Sequence, residues 1–307
     1  MSVSKVGPNL YEIRLDLKGP RFTSFLSSWV YYDESICFIV DTGPTSVNHL
    51  LEQALNSLKI TKDDLDYVLL SHIHMDHAGG VGKLLESFPH AQVICHPKGI
   101  KHMINPEQLW KGSLKVLGDV ARAYGEIVPV PQDHFLEGEK VMDIPIKVID
   151  TQGHAPHHQS YLFNQYLFIG EAAGVNVPIA NTIYTRPATP PIFNYEIAIS
   201  SIQKLLKEDI ENCMICYAHF GLSKNAEFLL NLAQDQINLW IREVNNLFEM
   251  KDQPTFFNQV VAKLKIVDKY FATIDLLDDN MQEKELYFVG NSIKGITGYI
   301  EKKKKLL

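Results

Sequence analysis

The chain has 307 residues, a formal net charge of −7, 46% hydrophobic and 21% charged residues, which excludes a mainly disordered protein. Apolar runs stay well short of the ~18–20 residues of a membrane span, and Met1–Asn9 lacks the apolar core of a signal peptide, so a cytoplasmic protein with no membrane partner is expected. The acidic balance counts against nucleic acid as main partner, and four cysteines do not make a disulfide scaffold.

The first ~220 residues alternate strand and helix patterns. Leu10–Asp16 alternates apolar and polar residues as a half-buried strand does. Trp29–Tyr32 and Ile36–Val40, split by Asp33-Glu-Ser35, predict a hairpin. Helical spacing follows over Thr45–Leu58, then a strand over Leu65–Leu70, a short helix over Gly80–Phe88 and a strand over Ala91–Cys95. Pro97–Arg122 is expected to be helical and Lys140–Asp150 strand-like. Ser160–Phe163 and Tyr166–Ile169 are strands around the turn Asn164-Gln165. Residues 174–193 carry four prolines and little periodicity, which predicts a long loop. Tyr195–Leu206 predicts a helix and Met214–Ala218 a buried strand. Beyond Gly221 the pattern is helical over Lys224–Met250, Thr255–Leu277 and Asn291–Lys305, with only a weak strand signal at Leu286–Val289. The expected division is 1–222 as an α/β catalytic domain and 223–307 as a mostly helical one that covers the site or supplies a dimer surface.

The chemistry concentrates in Ser71-His72-Ile-His74-Met-Asp76-His77, directly after a strand. Three imidazoles and a carboxylate within six residues are costly to bury without a purpose, and both groups suit zinc and other divalent metals. A strand end and turn let His72 and His74 point one way while Asp76 and His77 reach a second point. Asp41, His154 and His219 also fall where strands hand over to loops, the edge at which layered α/β folds build sites.

This set resembles the metallo-β-lactamase superfamily: Asp41, the HxHxDH segment, His154, an acid at 171 and His219 occur in the family's order over roughly residues 8–222. The resemblance implies a four-layer αβ/βα sandwich with a dinuclear site at one sheet edge. It implies that His72, His74 and His154 hold one metal and Asp76, His77 and His219 the other, with Asp41 and His158 supporting the ligands and Asp76 also handling protons. The family usually has a bridging Asp in Gly-Asp; here Gly170 is followed by Glu171, one methylene longer, which either bridges, binds one metal or swings away. His157 stands where the family motif has Gly, as a support facing the pocket. Two divalent ions are implied, zinc first, with iron or manganese as alternatives.

The implied activity is that of a metal-dependent hydrolase, similar to hydroxyacylglutathione hydrolases and lactonases. A hydroxide shared by two metals attacks an ester, thioester or lactone carbonyl of a small-molecule acyl substrate. The alternative is a phosphodiesterase acting on nucleotides or nucleic acid, because Ile293–Leu307 resembles the last helix of small helical or winged-helix tails on some family members. An iron redox enzyme is disfavoured by His74 and by the absence of a flavodoxin-like pattern, and a non-catalytic metal scaffold by the nearly intact ligand set. Cys213 and Cys216, three apart on a strand, point to opposite faces and read as structural. Tyr184, Arg186 and Asn176 are candidates for lining the pocket; His49, His90, His96, His102 and His134 have no motif partners.

Overall fold

A computed structural model describes residues 1–17, 25–141, 143–179 and 181–306; Met142, Ala180 and Leu307, inside three of the segments read above, lie outside the described residues. The first sheet runs in chain order: β1 (Ser2–Lys5), β2 (Leu10–Leu15), β3 (Leu26–Tyr32), β4 (Cys37–Val40), β5 (Tyr67–Leu69) and β6 (Gln92–Ile94). β1 to β4 pair antiparallel, and β4, β5 and β6 parallel. The β3–β4 turn forms as its sequence dictates, since Asp33 Oδ1 accepts the N–H groups of Ser35 and Ile36.

Six helices accompany this half among the described residues: α1 (Asn48–Ser57), α2 (Met75–Ala78), α3 (Val81–Ser87), α4 (Pro97–Ile104), α5 (Glu107–Leu117) and α6 (Asp119–Tyr124). Leu51, Leu55, Leu84, Met103 and Tyr124 join one hydrophobic cluster with Ile13, Ile39 and Val68 of the sheet.

The second sheet has the order β13 (Leu222–Ser223), β12 (Met214–Tyr217), β9 (Tyr166–Gly170), β8 (Gln159–Phe163) and β7 (Lys147–Asp150). The two sheets pack face to face through Trp29, Phe38, Leu69, Tyr161, Phe168 and Cys216. Trp29 donates its indole N–H to the Tyr217 carbonyl at 3.0 Å, and the Tyr161 hydroxyl reaches the carbonyls of Leu70 and Ile94 at 2.8 and 2.9 Å. Helices on both outer faces complete the expected four-layer αβ/βα sandwich, an α/β fold.

Several expectations are corrected. The 174–193 segment is not all loop: β10 (Val175–Ile179) and β11 (Thr182–Arg186) form a separate two-stranded hairpin. Pro178 hid the strand signal; a ribbon of two strands tolerates it because no third strand needs its N–H. The strand read at 140–150 is confined to β7, and β1 carried no signal at all. The weak strand Leu286–Val289 is helical, inside α10 (Asp279–Lys305), which starts at the Asp278 cap.

The remaining helices are α7 (Tyr195–Leu205), α8 (Ala226–Asn246) and α9 (Phe256–Val267). The helical pattern 255–277 breaks at Asp268. Its Oδ1 accepts the N–H groups of Tyr270 and Phe271, and its Oδ2 accepts from Gln236 and Trp240. Among the described residues of 224–306 there is no strand, so no wing accompanies the helices. Leu230, Trp240, Val260, Leu264, Val289 and Ile296 share one continuous cluster with Leu167, Ile169 and Ile215 of the second sheet. The change of character at 222 is therefore a change of secondary structure without a break in the core.

Candidate metal centre

Five strands, β4, β5, β7, β9 and β12, end at one edge of the sandwich, and each is followed by a residue of the site. β4 runs into Asp41, β5 into Ser71 and His72, β7 into the loop with His154, β9 into Glu171 and β12 toward His219. Open α/β layers leave this edge clear of helices, and polar groups there reach a common point.

The seven expected ligands come together as two groups, His72, His74, His154 and Glu171, then Asp76, His77 and His219, with the ligating atoms of each group within 4.8 Å of one another. In the first, His74 Nδ1 lies 2.9 Å from His72 Nε2 and 3.1 Å from His154 Nε2. Glu171 Oε2 is 3.0 Å from His154 Nε2 and 3.5 Å from His72 Nε2. Zinc–nitrogen bonds of about 2.0–2.1 Å place tetrahedral ligands ~3.3 Å apart, close to these separations. In the second group, Asp76 Oδ2 is 3.7 Å from both His77 Nε2 and His219 Nε2. Glu171 sits between the groups, with Oε2 3.4 Å from His77 Nε2 and Oε1 4.0 Å from His219 Nε2.

The other ring nitrogen of His72, His77, His154 and His219 is held from outside. His72 Nδ1 meets Ser71 Oγ at 3.0 Å, His154 Nδ1 the Ala188 carbonyl at 3.0 Å, and His219 Nδ1 the Phe25 carbonyl at 2.7 Å. A carbonyl only accepts, so His154 and His219 carry their protons on Nδ1 and turn bare Nε2 atoms inward. Asp41, expected to support the ligands, lies against His77 and Ser71. Its Oδ2 meets His77 Nδ1 at 2.9 Å, and its two oxygens accept from the Ser71 N–H and hydroxyl at 2.8 and 2.7 Å. Asp41 adopts φ +57, a left-handed conformation that Asp tolerates better than most residues.

Donor chemistry fits a divalent metal at both groups. Burial pushes the His72 and His74 pKa values well below the ordinary imidazole value, leaving neutral rings with free lone pairs. Burial would raise Glu171, but His154, His77 and His219 outweigh it and hold the carboxylate ionised. His77 Nε2 is buried with no hydrogen-bond partner, an orphan that costs stability unless something else binds it.

His158 holds the Glu171 backbone: its Nε2 accepts the Glu171 N–H at 3.0 Å, and its Nδ1 meets Thr151 Oγ1 at 2.9 Å. This contact explains Gly170, at φ +56, where an added Cβ would lie 2.5 Å from His158 Nε2. His157 accepts the Ile73 N–H at 3.4 Å, and burial lowers its pKa to about 4.

Asn176, Tyr184 and Arg186 do not line an open pocket. All three lie on the β10–β11 hairpin and are buried; Tyr184 and Arg186 both donate to Glu285 of α10. Cys213 and Cys216 are buried free thiols in different clusters, as their spacing implies. Thr151 and the carbonyls of Ala188 and Phe25 were not foreseen. Backbone carbonyls leave no mark in a sequence, and Thr151 is one threonine among many.

The metallo-beta-lactamase superfamily model matches residues 23–219, and the chain belongs to that superfamily. A metallo-beta-lactamase fold-containing protein of Sulfurisphaera tokodaii is 30% identical over 237 residues, covering 72% of this chain and 85% of that protein. A hydroxyacylglutathione hydrolase of Actinobacillus pleuropneumoniae is 27% identical over 252 residues, covering 81% of this chain and 88% of that enzyme. Among solved structures, an archaeal superfamily protein from Sulfolobus tokodaii aligns with a TM-score of 0.60 at 24% identity, over 75% of this chain and 86% of that one. A family protein from Thermus thermophilus aligns with a TM-score of 0.61 at 17% identity over 98% of this chain and 95% of that one, helical tail included. Members of the superfamily are generally hydrolases that bind divalent metals. Among the described residues no helix is long and apolar enough to cross a membrane.

Proposed function

We propose that this chain is a metal-dependent hydrolase that cleaves a carboxylic ester, thioester or lactone. His72, His74 and His154 would hold one divalent metal, Asp76, His77 and His219 a second, and Glu171 would bridge them. The observation that carries the reading is the position of Glu171 Oε2, within 3.5 Å of nitrogens from both groups. The extra methylene relative to Asp therefore does not carry the carboxylate out of the centre. The hydroxyacylglutathione hydrolase relative supports the choice of an acyl substrate.

Bound divalent metals bring the pKa of water near neutrality and polarise a carbonyl oxygen. The residues do the rest. His74, Asp76, His154 and His219 are only partly buried, so their side of the centre is open to a substrate, while His72 and His77 are sealed beneath. Asp41, Ser71 and the Ala188 and Phe25 carbonyls fix ring orientations before substrate arrives. Asp76 lies 3.7 Å from both His77 and His219 and, with Glu171 assigned to the bridge, would accept or relay the proton that the reaction moves. No Ser or Cys nucleophile is needed.

The phosphodiesterase alternative has no comparable support. Lys303 and Lys304 of the basic C-terminal run are engaged with Glu196, Tyr299 and Glu249. The test is a pair of initial rates on zinc-loaded protein, with a simple thioester or lactone and with an activated phosphodiester, each with a chelator control. Carbonyl turnover lost on chelation is expected; preference for the phosphodiester would overturn the reading.

A further inference from the structure

The last helix, α10, is over a hundred residues from the nearest metal-binding candidate of the first group, yet it grips the peptide that aims one of them. His154 Nδ1 donates to the Ala188 carbonyl at 3.0 Å. The N–H of that same peptide group belongs to Thr189 and donates to Ser292 Oγ at 3.4 Å. The Ser292 hydroxyl in turn donates to the Pro187 carbonyl at 3.0 Å, and Thr189 Oγ1 donates to the Ser292 carbonyl at 3.1 Å. Peptide 188–189 is thus held on its carbonyl side by His154 and on its N–H side by α10.

Three further features say that this grip is built. Ser292 is only 2% exposed, and its hydroxyl reaches across to the 187–189 segment rather than only back along its own helix. Gly295, one turn on, lets the helix backbone come so close that an added Cβ would lie 2.0 Å from the Thr189 carbonyl oxygen and 2.4 Å from that of Pro190. Upstream, Arg186 is tied to Glu285 of α10 at 2.5 Å, which fixes where the segment begins. Together Glu285, Ser292 and Gly295 seat residues 186–190 along one face of α10.

We infer that Ser292 is a positioning residue for the metal centre, acting through peptide 188–189 on His154. Resting on the reading that the His72, His74, His154 and Glu171 group holds a metal, it gives the helical tail a specific task at the site. A fixed carbonyl orients the ring and holds its proton on Nδ1, so that Nε2 presents a lone pair next to His74 Nδ1 and Glu171 Oε2. Without the Ser292 hydroxyl the peptide keeps its chemistry but loses its fixed direction, and His154 loses part of its preorganisation.

The experiment uses the full chain. Zinc constants are measured by competition with a chromogenic chelator on metal-free protein, for the wild type, Ser292→Ala, Ser292→Thr and Ile300→Ala. Ile300 lies on α10 two turns further on and is buried in the core, so its truncation loosens the helix without touching the 187–189 segment. Ser292→Ala is expected to weaken one of the two zinc constants by on the order of tenfold and to leave the other unchanged. Ser292→Thr, which keeps the hydroxyl, stays near wild type, and Ile300→Ala lowers the thermal midpoint with unchanged zinc constants. A second readout needs no metal: the His154 ring N–H proton is expected to be sharp and slowly exchanging in the wild type by NMR and to broaden in Ser292→Ala. Unchanged constants together with an unchanged ring proton in Ser292→Ala would overturn the inference, as would equal weakening in Ile300→Ala. Wild-type protein that binds no zinc would instead remove the metal reading, and the ring proton would still decide whether Ser292 holds His154.

Discussion

The first half of the sandwich delivers Asp41, His72, His74, Asp76 and His77 from two neighbouring parallel strands, β4 and β5, and the loop and short helix α2 that follow β5. The second half delivers His154, Glu171 and His219 singly, from the ends of three different strands. In the first half the support comes from the same sheet: Ser71 holds the adjacent His72, and Asp41, at the end of the neighbouring strand β4, holds Ser71 and His77. In the second half it is remote: His154 leans on residue 188, His219 on residue 25, and the segment behind residue 188 leans on α10. A contiguous ligand segment brings its scaffold with it, whereas dispersed ligands depend on whatever the rest of the chain packs around them.

That contrast can be broken at its largest point by deleting residues 224–307. The second half shares its core with Leu230, Trp240, Val260 and Ile296, so the remainder is expected to lose cooperative unfolding and solubility. A folded, soluble 1–223 fragment with unchanged metal content would contradict the shared core. In the first half, His74→Ala removes the nitrogen that touches both His72 and His154, and zinc of the first group and turnover should fall to background with the fold intact. Metal analysis and rates on the purified variant check this; full turnover without metal would end the metal-dependent reading.

Arg186→Met probes the remote support. It leaves Glu285 buried without its main partner, and breaking a buried pair costs about 3–5 kcal/mol. Burial pushes Glu285 up, but Arg186 and Lys284 outweigh it and hold its pKa below the ordinary glutamate value of 4.5. Its stabilising contribution is therefore present above pH ~4.5 and lost as pH falls through the lower folded value. The variant should be less stable than the wild type near neutral pH, and the gap should narrow as pH falls below ~4.5. Identical acid curves for the two proteins would show that the pair does nothing for the hairpin. Asp41→Asn, which weakens the acceptor for His77 and Ser71, is a milder change in the local half, with zinc affinity expected to drop about 10–100-fold. The smallest effect belongs to the basic end: replacing Lys302–Lys305 by Ala should change stability by no more than ~1 kcal/mol, because these are surface pairs, and leave turnover untouched. A large loss of turnover on a phosphodiester would reopen the alternative substrate.

The same contrast decides what a reader of the sequence can see. His72 to His77 announce themselves because imidazoles and a carboxylate at such spacing have no cheaper explanation, and the strand before them sets their direction. His154 and His219 are legible through their strand ends and through the family order, which also brings in Glu171. What stays hidden is tertiary. The β10–β11 hairpin is masked by Pro178, and Tyr184 and Arg186, read as pocket residues, turn out to be buried anchors for Glu285. The helix across Leu286–Val289 looks strand-like in a short window because its apolar residues face the core at Val289 while Glu285 points into an ion pair. Ser292 carries no local signal, since a serine within a helix reads as a weak helix former until its partner is known.

Glu171 decides whether the two halves build one centre or two separate ones. Native mass spectrometry of zinc-loaded wild type and Glu171→Ala, with matched chelator titrations, addresses that directly. Two zinc ions per chain in the wild type, and loss of at least one with weakened binding of the other in the variant, is the outcome that a bridging carboxylate predicts. A wild type that binds no zinc, or a variant that keeps both ions at wild-type affinity, would contradict it.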